Sequence, residues 1–132
     1  MNRRIVCLCG STRFKKAFEN ATKNLTLSGD IILSVGWYGH CETTPISPEA
    51  KVKLDELHLD KIRLADVVLF LNVDGYLGES SLRELEFCYE QGKTVDFLFP
   101  DKVSALTQSI LNKYNKSPWR TRNITLAEEF PH

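Results

Sequence analysis

The densest chemistry in the chain lies between Asn72 and Glu84, where Asp74, Glu79 and Glu84 are set among Gly78, Ser80 and Ser81 just after an apolar run. A carboxylate on the first turn of a helix is held by rigid backbone, which suits it to act as a nucleophile or base. The same spacing has a plainer meaning, because Ser81 and Glu84 stand three apart as a capping box requires. A second cluster, Cys9-Gly10-Ser11-Thr12-Arg13, offers close backbone approach at glycine, two hydroxyls, a helix N-terminus and a forked cation. Those groups suit an anion; an ordinary N-cap with a surface arginine is the alternative. Neither G-x-x-x-x-G-K-[ST] nor G-x-G-x-x-G occurs, so no P-loop or dinucleotide fingerprint is supported. A third segment, 36–48, carries Trp37, Tyr38 and His40, which could stack on and donate to a planar base or simply fold on one another.

Cys7, Cys9, Cys41 and Cys88 include no C-x-x-C pair and no histidine at zinc-finger spacing. Cys7 and Cys9 alternate along an apolar run, so they share one face of a strand and cannot both join a local turn-type ligand cluster. No metal and no cofactor are expected, and the cysteines read as small buried residues in a reducing cytosol. His58 falls on the inward stripe of its helix and reads as a core or interface residue. The mixed-sign run around it reads as a solvated face without chemistry.

The elements that must position these groups alternate. Ile5 to Cys9 reads as a buried strand entering a helix N-cap at Ser11-Thr12, and Phe14, Ala17, Phe18, Ala21 and Leu25 give an amphipathic helix ending near Gly29. Residues 30–35 form a second strand, followed by a loop of about 12 residues, longer than connectors usually are. Ser47-Pro48-Glu49 starts a helix whose face is Leu54, Leu57, His58, Ile62 and Ala65. Residues 67–72 read as a strand covered on both faces, 80–91 as a helix, 94–99 as a strand and 103–114 as a helix with Val103, Leu106, Ile110 and Leu111 inward. Ile124 to Ala127 reads as a short fifth strand or a docking tail. Strands alternating with helices call for a parallel sheet with helices on both faces, and ligands bind beyond its strand carboxyl ends where strand order reverses.

Three segments together, C-G-S-T-R-F at 9–14, the second helix with the third strand, and G-Y-L-G-E-S-S-L-R-E-L-E-F-C-Y-E-Q-G-K-T-V at 75–95, resemble the nucleoside 2-deoxyribosyltransferase-like superfamily. The likeness covers roughly residues 5–98. It implies an α/β, doubly wound (flavodoxin- or Rossmann-like) three-layer sandwich with a four- to five-stranded, mostly parallel sheet, formed by residues 1–132 as one domain. It places the family's nucleophilic glutamate on Glu84, its Gly-Ser loop on Gly10-Ser11, and a phosphate-contacting arginine on Arg13. Asn72, Gly78, Glu79, Ser80 and Ser81 complete the substrate and phosphate contacts with Thr12. The chain departs from the family pattern at Ser80 and Glu86, which replace glycines, and at Gly78-Glu79, which replace the usual aspartate. Asp74, then Glu79, are the groups expected to assist the leaving base.

The resemblance implies an N-glycosidic enzyme, a 2-deoxyribosyltransferase or a nucleoside 5'-monophosphate N-glycosidase. The competing class is a non-catalytic domain of the same fold that senses or sequesters a nucleotide. A homodimer or higher homo-oligomer is expected by the same likeness. Of 132 residues, 17 are Lys or Arg and 17 are Asp or Glu. With no net field, neither nucleic acid polymers nor acidic membranes are expected partners. The short apolar run near the N-terminus is neither signal peptide nor membrane span, and the expected location is cytoplasmic.

Overall fold

The computed structural model describes residues 3–36 and 46–119. Trp37, Tyr38, His40 and the expected strand at 124–127 lie outside the described residues. Four strands, β1 (Ile5–Cys9), β2 (Ile31–Leu33), β3 (Val67–Phe70) and β4 (Thr94–Phe97), form one all-parallel sheet in the order β2-β1-β3-β4. The register pairs Cys7 with Leu33 on one side and with Val68 on the other. Four helices connect and follow them: α1 (Lys15–Leu27), α2 (Pro48–Leu64), α3 (Glu79–Glu90) and α4 (Ala105–Lys113). Strand order reverses between β1 and β3, so the turns leaving these two strands bound the crevice where a doubly wound sheet takes its ligand.

The period-two alternation of β1 divides the core. Val6 and Leu8 face α1, packing with Phe18, Ala21, Leu25 and Leu69. Cys7 and Cys9 face the other side, with Ile62 of α2, Leu85 and Cys88 of α3, Phe97 and Leu111. Helices on both faces make the three-layer α/β sandwich. Among the described residues no helix is long and apolar enough to cross a membrane.

Local chemistry sets the boundaries. Ser47 caps α2 by accepting from the Ala50 N–H at 3.1 Å, with proline at the first helical position. Lys93 donates to the Arg63 and Ala65 carbonyls at 2.6 and 2.9 Å, closing the other end of α2. Arg4 forks onto Asp30 with contacts of 3.1 and 2.6 Å, tying the starts of β1 and β2.

Four expectations are corrected. α1 does not start at Ser11-Thr12: these residues form a turn in which Phe14 N–H donates to the Ser11 carbonyl, and Phe14 holds the N-cap position without a side-chain cap. α3 starts at Glu79 with Gly78 as N-cap, so Ser81 and Glu84 are both inside the helix and form no capping box. The face of α2 is also shorter than its sequence stripe. His58 and Ile62 are buried, but Leu54 and Leu57 are 39% and 50% exposed, because the first half of the helix overhangs the crevice instead of the sheet. In α4, Leu106 turns outward and Thr107 takes the buried position, held by the Ser104 hydroxyl at 2.9 Å.

Candidate active site

A cavity of about 580 Å³ opens at the carboxyl ends of β1 and β3. Its base is the bend Gly10-Ser11-Thr12, one side is the start of α3 from Gly78 to Ser81 with Glu84, and the facing side is α2 with Lys51, Asp55, His58 and Lys61. Leu54 and Leu57 add an apolar shelf on the α2 side. The volume falls within the range of small-molecule sites.

Gly10 is required by the close approach of two strands. Its φ is +154°, and a Cβ there would meet the Leu71 carbonyl oxygen at 3.2 Å and the Leu71 Cβ at 3.3 Å. The bend is thereby pressed onto the exit of β3, next to α3. No side-chain hydrogen bond caps the start of α3, and Gly78, Ser80 and Ser81 at that positive end of the helix line the cavity.

Glu84, one turn further along α3, is half-buried and lines this cavity. Burial pushes its carboxyl pKa up to about 7, an effect eased by His58 opposite and reinforced by Cys7 and Asp55. A carboxylate that titrates near neutrality in a pocket is the kind of group from which catalysts are made.

Behind the α2 wall lies a group of residues whose association the sequence did not announce. His58, 7% exposed, directs Nε2 at the Cys9 sulfur at 3.2 Å and at the Cys7 sulfur at 3.9 Å. Burial alone would lower the imidazole pKa, but contact with Cys7 and the charge of Glu84 carry it above its usual value. Cys7 is drawn down to about 6, first by hydrogen bonding from Cys9 and then, against its burial, by His58 and Lys61. Cys9 moves up, through burial first, then its hydrogen bond with Cys7 and the charge of Glu84. Cys7 and Cys9 thus shift in opposite directions while the ring rests against both sulfurs, nearer Cys9.

The same-face cysteines are buried core residues as expected, and the structure adds a contact with His58 that the spacing did not show. Facing the same way places both against α2, where a histidine 49 and 51 residues away meets them. The cluster is non-local, so spacing rules for ligand loops do not find it; the signal was a C-x-C alternation facing a helix with a histidine on its buried stripe. Asp55 and Lys61, read as members of a solvated face, also line the cavity. Lys61 donates to the Ser34 carbonyl at 2.6 Å, and Lys51 pairs with Asp55 at 3.2 Å.

The structure brings together Gly10, Ser11, Thr12, Gly78, Glu79, Ser80, Ser81 and Glu84. Three residues of the sequence-derived set, Asp74, Asn72 and Arg13, do not line the cavity. Asp74 is exposed in a turn with φ 54° and does not line the cavity, because the short 3₁₀ turn Val73–Gly75 carries it outward. Asn72 is fully buried and its amide is spent on backbone: it donates to the Phe99 and Lys102 carbonyls at 2.9 and 2.7 Å and accepts from the Phe99 N–H at 2.9 Å. Arg13 is exposed, with its guanidinium 4.1 Å over the Tyr76 ring and 5.0 Å over that of Phe14. Tyr76 lines the cavity, so this stack holds a cation at the rim. Compared with models of known protein families and with curated proteins, the chain gives no match.

Proposed function

We propose that the protein cleaves or transfers the N-glycosidic bond of a nucleoside or nucleoside 5'-monophosphate, with Glu84 as the carboxylate that meets the anomeric carbon. The observation that carries this reading is the placement of Glu84 in one cavity with the Gly10-Ser11-Thr12 bend and the uncapped start of α3. A sugar bound between them would have its reacting carbon toward the carboxylate and its 5' end toward donors suited to an anion. The Leu54-Leu57 shelf gives a flat base an apolar surface to lie against.

The carboxylate attacks as the base departs through an oxocarbenium-like state, and water or a second base then resolves the glycosyl ester with net retention. A second group must hold or protonate the leaving base. Glu79, at the cavity edge and paired with Arg83 at 3.1 Å, takes this role in place of Asp74, with Asp55 on the facing wall. A cytoplasmic setting and a homodimer or higher assembly belong to the same reading. Val52 and Leu64, exposed along α2 away from the cavity lining, offer apolar surface for a second copy.

The test is chromatography for free base after incubation with a panel of nucleosides and their 5'-monophosphates. Base release is expected, and faster from a monophosphate than from its nucleoside. Arg13→Ala should lower kcat/KM for the monophosphate about 10- to 100-fold, the value of one charge-assisted contact, and change the free nucleoside less than threefold. Equal losses on both substrates would remove Arg13 from phosphate recognition. A ligand bound tightly and recovered intact after hours, with no base released, would favour the sequestering class.

The pH profile follows from the sign of the shift at Glu84. Its raised pKa leaves the carboxyl protonated and unable to attack below about 7. On chelator-treated protein, kcat/KM should therefore rise about tenfold per pH unit up to that point and flatten above it. A profile that falls as pH rises through 7 would make Glu84 a proton donor and not the nucleophile.

A further inference from the structure

We propose that Cys7, Cys9 and His58 form a binding site for a thiophilic divalent cation, zinc in the first instance, set into the wall of the cavity. The two sulfurs and the ring nitrogen all lie within 4.8 Å of one another, and all three residues are buried. Tetrahedral zinc with Zn–S near 2.3 Å and Zn–N near 2.0–2.1 Å holds a sulfur and a nitrogen about 3.5 Å apart. The observed contacts of Nε2 with Cys9 and Cys7, 3.2 and 3.9 Å, fall on either side of that separation. Side-chain rotation that brings the Cys7 sulfur closer and the Cys9 sulfur slightly further would equalise them.

Charge favours the same occupant. Two thiolates are costly in an apolar core, and a divalent cation between them makes the group neutral. His58 lines the cavity while both sulfurs lie beneath it, so the ion has an entry path at the imidazole and a fourth position left to water from that side. Two thiolates, one imidazole and an open fourth place is a donor set that zinc uses in reactive sites. The soft sulfur ligands select zinc over magnesium or calcium, which require oxygen. This site stands on its own geometry and does not depend on the glycosidic reading.

The experiment uses the full chain, stripped with chelator under reducing conditions and then given zinc. After gel filtration, elemental analysis should find one zinc per chain. Cys7→Ser, Cys9→Ser and His58→Ala should each retain less than about a tenth of that. Cys88→Ala, which removes a buried thiol outside the cluster, should retain it in full. If the cluster variants do not fold, the unaltered chain still decides the matter: one equivalent of cobalt(II) should give a thiolate-to-metal charge-transfer band and the intense visible bands of tetrahedral coordination. Zinc in excess should abolish both. No retained zinc, zinc retained at the parent level by Cys7→Ser and Cys9→Ser, or cobalt bound without charge transfer would overturn the proposal.

Discussion

Glu84→Gln is expected to stop base release while making the folded chain more resistant to heat. On the proposed mechanism, loss of the nucleophile removes the only route to the covalent intermediate, so kcat should fall by at least about a thousandfold. The stability gain comes from the same burial that tunes the group. The carboxyl titrates near 4.5 when exposed and near 7 in the fold, so between those values the folded chain holds more protons than the unfolded one. Stability contributed by the neutral acid is therefore complete below about pH 4.5, is lost as pH rises to 7, and stays lost above it.

A shift of that size corresponds to about 3 kcal/mol at most. Glutamine, neutral throughout, escapes that cost while still giving up some hydration. The expected gain is about 1–3 kcal/mol at pH 8, a rise in Tm of roughly 4–10 °C for a domain of this size. At pH 4.5 the two proteins should melt together. The comparison is made by calorimetry on chelator-treated protein at both pH values. Equal Tm at pH 8 would mean that the carboxylate is well solvated, and full activity of the variant would remove Glu84 from the chemistry.

Asn72→Ala is expected to act in the opposite sense, destabilising the fold and leaving the chemistry of folded molecules nearly intact. The side chain satisfies two carbonyls and one N–H, all on the segment that leaves β4. Removing it strands these groups beneath the surface, which should cost about 2–4 kcal/mol and lower Tm by roughly 10 °C. Asn72→Asp should be no milder, since it deletes both donors and sets a negative charge against two carbonyl oxygens. Below the melting transition, base release per folded molecule should remain within about tenfold of the parent. A small change in Tm with a large loss of kcat/KM would instead return Asn72 to substrate binding.

The order of elements was legible from apolar runs and caps, because Ser47-Pro48 and the V-V-L-F run are local signals whose meaning no distant contact changes. Element ends were less so. Ser80 and Ser81 satisfy the letter of a capping motif, but the chain turns at Gly78 and the helix starts a residue sooner than Ser80, so the serines become inward and cavity-side residues. Leu54 and Leu57 share a helical stripe with Ile62, but periodicity cannot say that the sheet stops short of the helix. Glu84 and Gly10-Ser11 could be brought together from topology alone, since both follow strands that flank the reversal of order. Asp74 and Asn72 could not be sorted in this way: one turn of 3₁₀ helix decides where Asp74 points, and the partners of Asn72 are 27 and 30 residues away. His58 and the two cysteines met for the same reason, through tertiary distance that no spacing rule encodes.

The alternation of β1 leaves the strand without a position that can drift freely. An insertion or deletion of one residue would exchange the two sides, sending sulfur into the hydrocarbon layer against α1 and placing valine and leucine where His58 waits. Such a chain could still close its sheet, since the backbone ladder is indifferent to which side chain faces which way. Length variation among descendants of this sequence should therefore gather in the connections and spare the five residues of β1.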